Sequence, residues 1–255
     1  MNTETDTQTL VLVHGSPATG QAWQAVVKHL PERYRVVTPT LDGHDGFGPA
    51  ETPPPVTTDA LAAALEAEIG DTDAPIMLAA HSYGASVAMH LALRGRIPIA
   101  RMLLIEPVTP HALELAGNEA SHGVLRSGIG GYLDAHEAGE PEAVSHMIDF
   151  WFGAGAFHAM PEPVRTYLIH RTAVNVRDVR ASFAETYTYD DLARLDLPVL
   201  IACGSKSPNV TVDLADAVLA GLPQGRLATV DGGDHAMLTT HPEPVARMID
   251  EFFTR

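Results

Sequence analysis

The chain has 255 residues, a single cysteine (Cys203) and a formal net charge of −16. That length suits one α/β domain carrying an insertion, the lone cysteine excludes an internal disulfide, and the acidic balance disfavours nucleic acid and anionic membrane surfaces as partners. No apolar run approaches the ~20 residues that span a bilayer, and residues 1–9 lack the basic and apolar regions of a signal peptide.

In chain order, the apolar run at residues 9–13 predicts a short buried strand ending at His14-Gly15, followed by a helix over 21–30 and a second strand over 34–39. Residues 40–55, rich in Gly, Asp and Pro, predict a loop, and Thr57-Thr58-Asp59 reads as the cap of a helix reaching Ile69. A strand over 75–80 stops at His81-Ser82-Tyr83-Gly84, and a helix opens over 85–94. The next strand, 100–105, ends at Glu106-Pro107. Towards the C-terminus come a strand over 197–204, a helix over 212–219, a strand over 226–230, and a final helix after His241-Pro242 through Phe253.

Strands apolar throughout, alternating with amphipathic helices, predict an α/β fold: a mostly parallel central sheet with helices on both faces. Residues 109–191 hold no convincing strand and contain the aromatic cluster Phe150, Trp151, Phe152 and Phe157. We expect them to form a helical cap inserted in a core made of residues 1–108 and 192–255. In such sheets ligands sit at the carboxyl ends of the strands, where His14, Ser82, Glu106 and His235 all fall. The cap is therefore expected to roof a pocket, with Trp151, Phe152 and Phe157 facing a ligand. His44, in the loop after the second strand, is either a pocket residue or a polar turn residue.

Ala80-His81-Ser82-Tyr83-Gly84 carries the most specific chemistry. A serine hydroxyl needs a base to become nucleophilic. A sharp strand-to-helix turn exposes it, and that turn needs small residues two positions either side, here Ala80 and Gly84. With His14-Gly15-Ser16-Pro17 after the first strand and Gly232-Gly233-Asp234-His235 before the last helices, the chain resembles the α/β-hydrolase superfamily over nearly its whole length.

The resemblance implies that Ser82 is the nucleophile, that His235 is its general base, and that the amides of Ser16 and Tyr83 form an oxyanion hole. Among the 13 histidines only His235 matches the family's base position; His81 reads as packing and His241 as a residue near a helix start. The usual place of the triad acid, three residues beyond Gly204, holds Ser207. Some members carry the acid one strand earlier, where this chain has Glu106. Asp213 is the next candidate, although a capping-type role near a helix start is the usual explanation for such a residue, and the absence of a functional acid stays open.

Neither His-Glu-x-x-His nor Cys-x-x-Cys occurs, Gly128-Ile129-Gly130-Gly131 does not follow a first strand, and no Gly-Lys-Ser or Gly-Lys-Thr is present. The expectation is an enzyme without cofactor or metal: a serine hydrolase of small to medium, largely apolar esters, lactones or thioesters. A lyase, cyclase, acyltransferase or perhydrolase on the same fold, or a small-molecule receptor, stays open. The expected partner is a small-molecule substrate, with no nucleic acid and no membrane, and the protein is expected to be cytoplasmic and a monomer or homodimer.

Overall fold

The computed structural model describes residues 8–46, 53–72 and 74–254; residues 1–7 of the polar N-terminal stretch and 47–52 of the Gly- and Pro-rich loop lie outside the described residues, as do 73 and 255. Its centre is a sheet of six parallel strands: β1 (Gln8–Val13), β2 (Tyr34–Val37), β3 (Ile76–His81), β4 (Ile99–Ile105), β5 (Val199–Gly204) and β6 (Gly225–Val230), in the order β2-β1-β3-β4-β5-β6. The buried parts of the interior strands are apolar on both faces because each face is covered. Leu61, Val87, Leu91 and Leu214 pack in one layer, and Trp23, Val245, Ile249 and Phe253 in the other.

Helices follow the strands as their apolar spacing predicts, with one shorter than expected. In place of a helix over 21–30, a single 3-10 turn (Gly20–Trp23) leads into α1 (Gln24–Val27). Two adjacent β-branched residues, Val26 and Val27, and Pro31 shortly beyond favour an early end. In α2 (Thr58–Ile69) the Thr57 hydroxyl accepts from the Ala60 amide at 3.1 Å, an N-cap legible in the sequence. Then α3 (Tyr83–Arg94) begins a single residue after β3.

Between β4 and β5 the chain is helical throughout: α4 (Pro110–Leu115), α5 (Glu119–Glu137), α6 (Val144–Phe152), α7 (Ala156–Ala159), α8 (Glu162–His170), α9 (Thr172–Phe183) and α10 (Tyr189–Leu192). Residues of α5, α6, α8 and α9 face the same cavity as the loops that leave β1 and β3. The chain closes with α11 (Asn209–Leu219) before β6, then α12 (Met237–Thr240) and α13 (Pro242–Phe253). Among the described residues no helix is long and apolar enough to cross a membrane.

Candidate active site

Ser82 occupies the one-residue turn between β3 and α3, with φ 54° and ψ −128°. That region is costly for a residue bearing a Cβ and persists only where the surroundings impose it. Here they do: the Ser82 amide donates to the Ile105 carbonyl at 2.9 Å, and its own carbonyl accepts from Ala85. Close packing beneath demands glycine, since a Cβ on Gly84 would lie 2.1 Å from the His14 carbonyl oxygen. The result lifts the serine side chain to the end of the sheet.

His235, in the loop between β6 and α12, meets that serine. Its Nε2 lies 2.9 Å from Ser82 Oγ, and its Nδ1 lies 3.2 Å from Oε2 of Glu106. Carboxylate oxygens accept, so Nδ1 carries the proton and Nε2 is left as the acceptor for the serine hydroxyl. Glu106 follows β4 directly, is fully buried and also has positive φ, 49°. Its Oε1 accepts from the Gly204 amide at 2.6 Å and the Ser207 hydroxyl at 2.8 Å. Ser207, at the position where an acid is usual, thus donates to the carboxylate one strand earlier. Asp213 is placed elsewhere, in α11, where it accepts a 2.6 Å bond from the Ser121 hydroxyl.

The loop after β1 lies against the same serine: a Cβ on Gly15 would come within 2.8 Å of Ser82 Cβ. Among the described residues neither the Ser16 nor the Tyr83 amide donates to a backbone carbonyl in the turns and loops. Tyr83 opens α3, so its N–H is one of the four that a helix leaves unpaired. Its phenol points into the core beside the Thr58 hydroxyl at 3.3 Å, and burial raises its pKa.

The side chain of Ser16 reveals a network that the sequence did not announce. Its hydroxyl donates to Oδ2 of Asp178 at 2.6 Å and accepts from Asn175 Nδ2 at 3.0 Å. Asp178, fully buried on α9, also accepts from His44 Nε2 at 2.7 Å and Arg177 Nε at 2.9 Å. Three further donors tie α8 and α9 to the neighbouring loops: Tyr167 to the Pro17 carbonyl at 2.7 Å, Arg171 to Gly43 at 2.7 Å and Arg177 to Asp42 at 2.9 Å. No motif marks Asp178. The only sequence signal was an acidic residue beside an arginine on a helix, which usually faces solvent.

The cavity over Ser82 measures about 240 Å³ and is walled mainly by apolar side chains, among them Leu125, Ile129, Met147, Trp151 and Phe152. Two expectations about its wall need correction. Phe157 is fully buried in α7, edge-on to His158 at a centroid distance of 5.3 Å, and does not line the cavity. Asp149 draws that helix back by accepting from the Gly155 and Phe157 amides at 2.8 and 2.9 Å. His44 is also off the wall, fully buried, with Nδ1 donating to the Ala18 carbonyl at 2.9 Å and Nε2 facing Asp178.

The other site histidines are held neutral. Burial pushes His81 down to about 3, and its Nε2 donates to the His235 carbonyl at 3.0 Å. Burial first, then the neighbouring His44, takes His14 down to about 4; it donates to Gly15 O and accepts from the Leu41 amide. Among the described residues no group of three His, Cys, Asp or Glu side chains is placed to hold a metal ion.

Comparison with known proteins bears on the fold and the family. A pimeloyl-[acyl-carrier protein] methyl ester esterase of Aromatoleum aromaticum is 29% identical over 255 residues, covering 95% of this chain and 96% of the relative. A non-heme chloroperoxidase of Streptomyces lividans is 26% identical, covering 92% of this chain and 87% of the relative. Among solved structures, MenH from S. aureus superposes with a TM-score of 0.71 at 18% identity, covering 99% of this chain and 94% of that one. A thermophilic esterase from Thermogutta terrifontis gives 0.68 at 23% identity, covering 97% and 89%. The sequence model of the alpha/beta hydrolase family matches residues 10–248, from β1 into α13 and so across every strand and loop that builds the site, and the chain belongs to that family.

Proposed function

We propose that the protein is a serine hydrolase acting on small, largely apolar esters through an acyl-enzyme. The observation that carries this reading is the line of contacts from Ser82 Oγ to His235 Nε2 and from His235 Nδ1 to Glu106, at 2.9 and 3.2 Å. Ser82 attacks the ester carbonyl and passes its proton to Nε2 of His235. Glu106 keeps the ring oriented and balances the imidazolium that forms. The amides of Ser16 and Tyr83 receive the oxyanion, and the positive end of α3 adds to their effect. His235 then returns the proton to the departing alcohol, and water hydrolyses the acyl-serine by the same steps.

Cavity size bears on the substrate. A volume of about 240 Å³ falls below the ~300 Å³ lower bound usual for drug-sized ligands, so short acyl and alcohol groups fit best. The apolar wall selects against charge close to the scissile carbonyl, which argues for simple esters, lactones and thioesters.

A panel of p-nitrophenyl esters from acetate to octanoate, run beside organophosphonate labelling, tests the reading. Turnover greatest for the short chains, with label on Ser82 and both lost in Ser82→Ala, is the expected result. Labelling without turnover of any ester would favour a non-hydrolytic reaction at the same serine. Turnover that survives Ser82→Ala would refute the proposal.

A further inference from the structure

The insertion contributes one contact to the catalytic machinery that the mechanism above does not use. The indole of Trp151, near the end of α6, lies parallel to the imidazole of His235, with ring centroids 4.5 Å apart and an interplanar angle of 10°. Both edge nitrogens of that imidazole are already engaged, by Ser82 and Glu106. Trp151 therefore covers a face of the ring. Geometry of this kind places the negative face of an aromatic within the ~6 Å over which it attracts a cation. In the reaction proposed above, a positive charge arises on His235 as Ser82 gives up its proton.

The packing behind Trp151 fixes it in place. Phe150 meets it edge-on at 4.9 Å and 78°. The Phe150 ring in turn fills space left by Gly128 of α5, where a Cβ would lie 2.2 Å from the ring. The glycine run in α5, unexplained by any nucleotide-binding role, thus has one member whose missing side chain seats this aromatic pair. The other groups facing His235 do not supply the same effect. His81, tilted 42° at 5.0 Å, is held neutral by burial, and Phe152 is more distant at 6.3 Å. The charged groups nearest His235 are Glu106, at its Nδ1, and Asp234, which precedes it in the loop.

We propose that Trp151 is a positioning residue for the reaction at Ser82: its indole face holds the plane of the His235 ring and stabilises the imidazolium formed during acyl transfer. This inference rests on the assignment of Ser82 and His235 as nucleophile and base.

Two measurements test it. The first needs no turnover. Trp23 and Trp151 are the only tryptophans, and a protonated imidazole in contact with an indole quenches its fluorescence. The difference in emission between the native chain and Trp151→Leu should be quenched on acidification and recover on raising pH. His235→Gln should abolish that titration. A difference spectrum independent of pH, or one that still titrates in His235→Gln, would overturn the stacking role.

The second measurement separates kcat from KM on a short ester such as p-nitrophenyl acetate, which is small enough to depend little on the α6 wall. Trp151→Leu should lower kcat by about 2- to 30-fold, the range of a cation–π contact, with KM changed far less. Trp151→Phe should restore part of the loss. A rise in KM at constant kcat would make Trp151 a wall of the cavity and nothing more, and would sink the proposal. Ser82→Ala and His235→Gln serve as references: activity surviving in either contradicts the serine-hydrolase reading itself, whereas their inactivity beside an unaffected Trp151→Leu contradicts only this inference.

Discussion

The hydroxyl of Ser207 donates to Glu106 at 2.8 Å, so the residue at the usual acid position serves the acid that stands one strand away. The two positions converge because β4 and β5 are neighbours in register, with Ile105 beside Ala202. Glu106 can therefore approach His235 from β4 while its second oxygen is satisfied by the start of the loop after β5. Glu106→Gln keeps the shape and removes the charge, and kcat should fall by up to about 10⁴-fold. Asp213→Asn, far from the imidazole, should leave kcat within a factor of two or so. Part of the lost activity should return in Glu106→Gln combined with Ser207→Asp. Ester hydrolysis by the three variants, compared at one pH, decides the matter; a fully active Glu106→Gln enzyme would exclude the assignment.

Asp178 is expected to matter twice. Removing it leaves the buried Arg177 guanidinium without its counter-charge and the His44 ring without its partner, a loss on the order of 3–5 kcal/mol. For a chain of this length that lowers Tm by roughly 6–20 °C. The same change frees the Ser16 hydroxyl, so Asp178→Asn, the milder substitution, should reduce kcat more than it raises KM. Thermal unfolding read alongside steady-state kinetics checks both parts, and an Asp178→Asn enzyme with native Tm and native kcat would contradict them.

The insertion's aromatics should divide by position. Phe152 lines the cavity, so Phe152→Ala should shift preference towards longer acyl chains at modest cost in stability. Phe157 is fully buried away from it, so Phe157→Ala should cost about 3–5 kcal/mol of stability while leaving the chain-length profile unchanged. Chemical denaturation and the ester panel, run on both variants, would expose an exchange of these phenotypes.

Glu185 predicts a pH dependence of stability. It is fully buried beyond α9 with neither oxygen hydrogen-bonded, and burial raises its pKa to about 8 from 4.5. Between those values the folded chain holds a proton that the unfolded chain has released, so stability falls as pH rises from about 4.5 to about 8. The slope approaches the one-proton limit of about 1.4 kcal/mol per pH unit. Glu185→Gln mimics the protonated form, so its advantage over the native chain should grow with pH through that window and level off above it. Denaturation free energies at three pH values suffice. Taking the difference between the two chains cancels the general self-repulsion of an acidic protein, and parallel curves would disprove the prediction.

The fold was largely legible because each interior strand contains a run of at least four buried apolar residues close to a Gly, Ser or acid at its carboxyl end. Ser82 declared itself by the small residues at 80 and 84, and Glu106 by being a carboxylate directly after four buried apolar residues, Met102 to Ile105. Asp178 was not legible: its partners Ser16 and His44 lie 162 and 134 residues away, and no local pattern brings them together. Helical spacing likewise could not separate Trp151 from Phe157. Asp149 accepts from the amides of Gly155 and Phe157 at the start of α7, a contact between neighbouring helices that periodicity does not encode.

The clasp between α8–α9 and the loops after β1 and β2 has a consequence for how the cavity is held together. Tyr167, Arg171, Asn175, Arg177 and Asp178 bind that side through hydrogen bonds to Pro17, Ser16, Asp42 and Gly43, so swinging it away would break bonds to both loops each time. On the opposite side, among the described residues, no side chain of α6 hydrogen-bonds to the sheet or its loops; Trp151 and Phe152 meet His235 through ring contacts alone. The two sides of the cavity are thus held by different forces, directional hydrogen bonds along α8 and α9 and ring packing along α6.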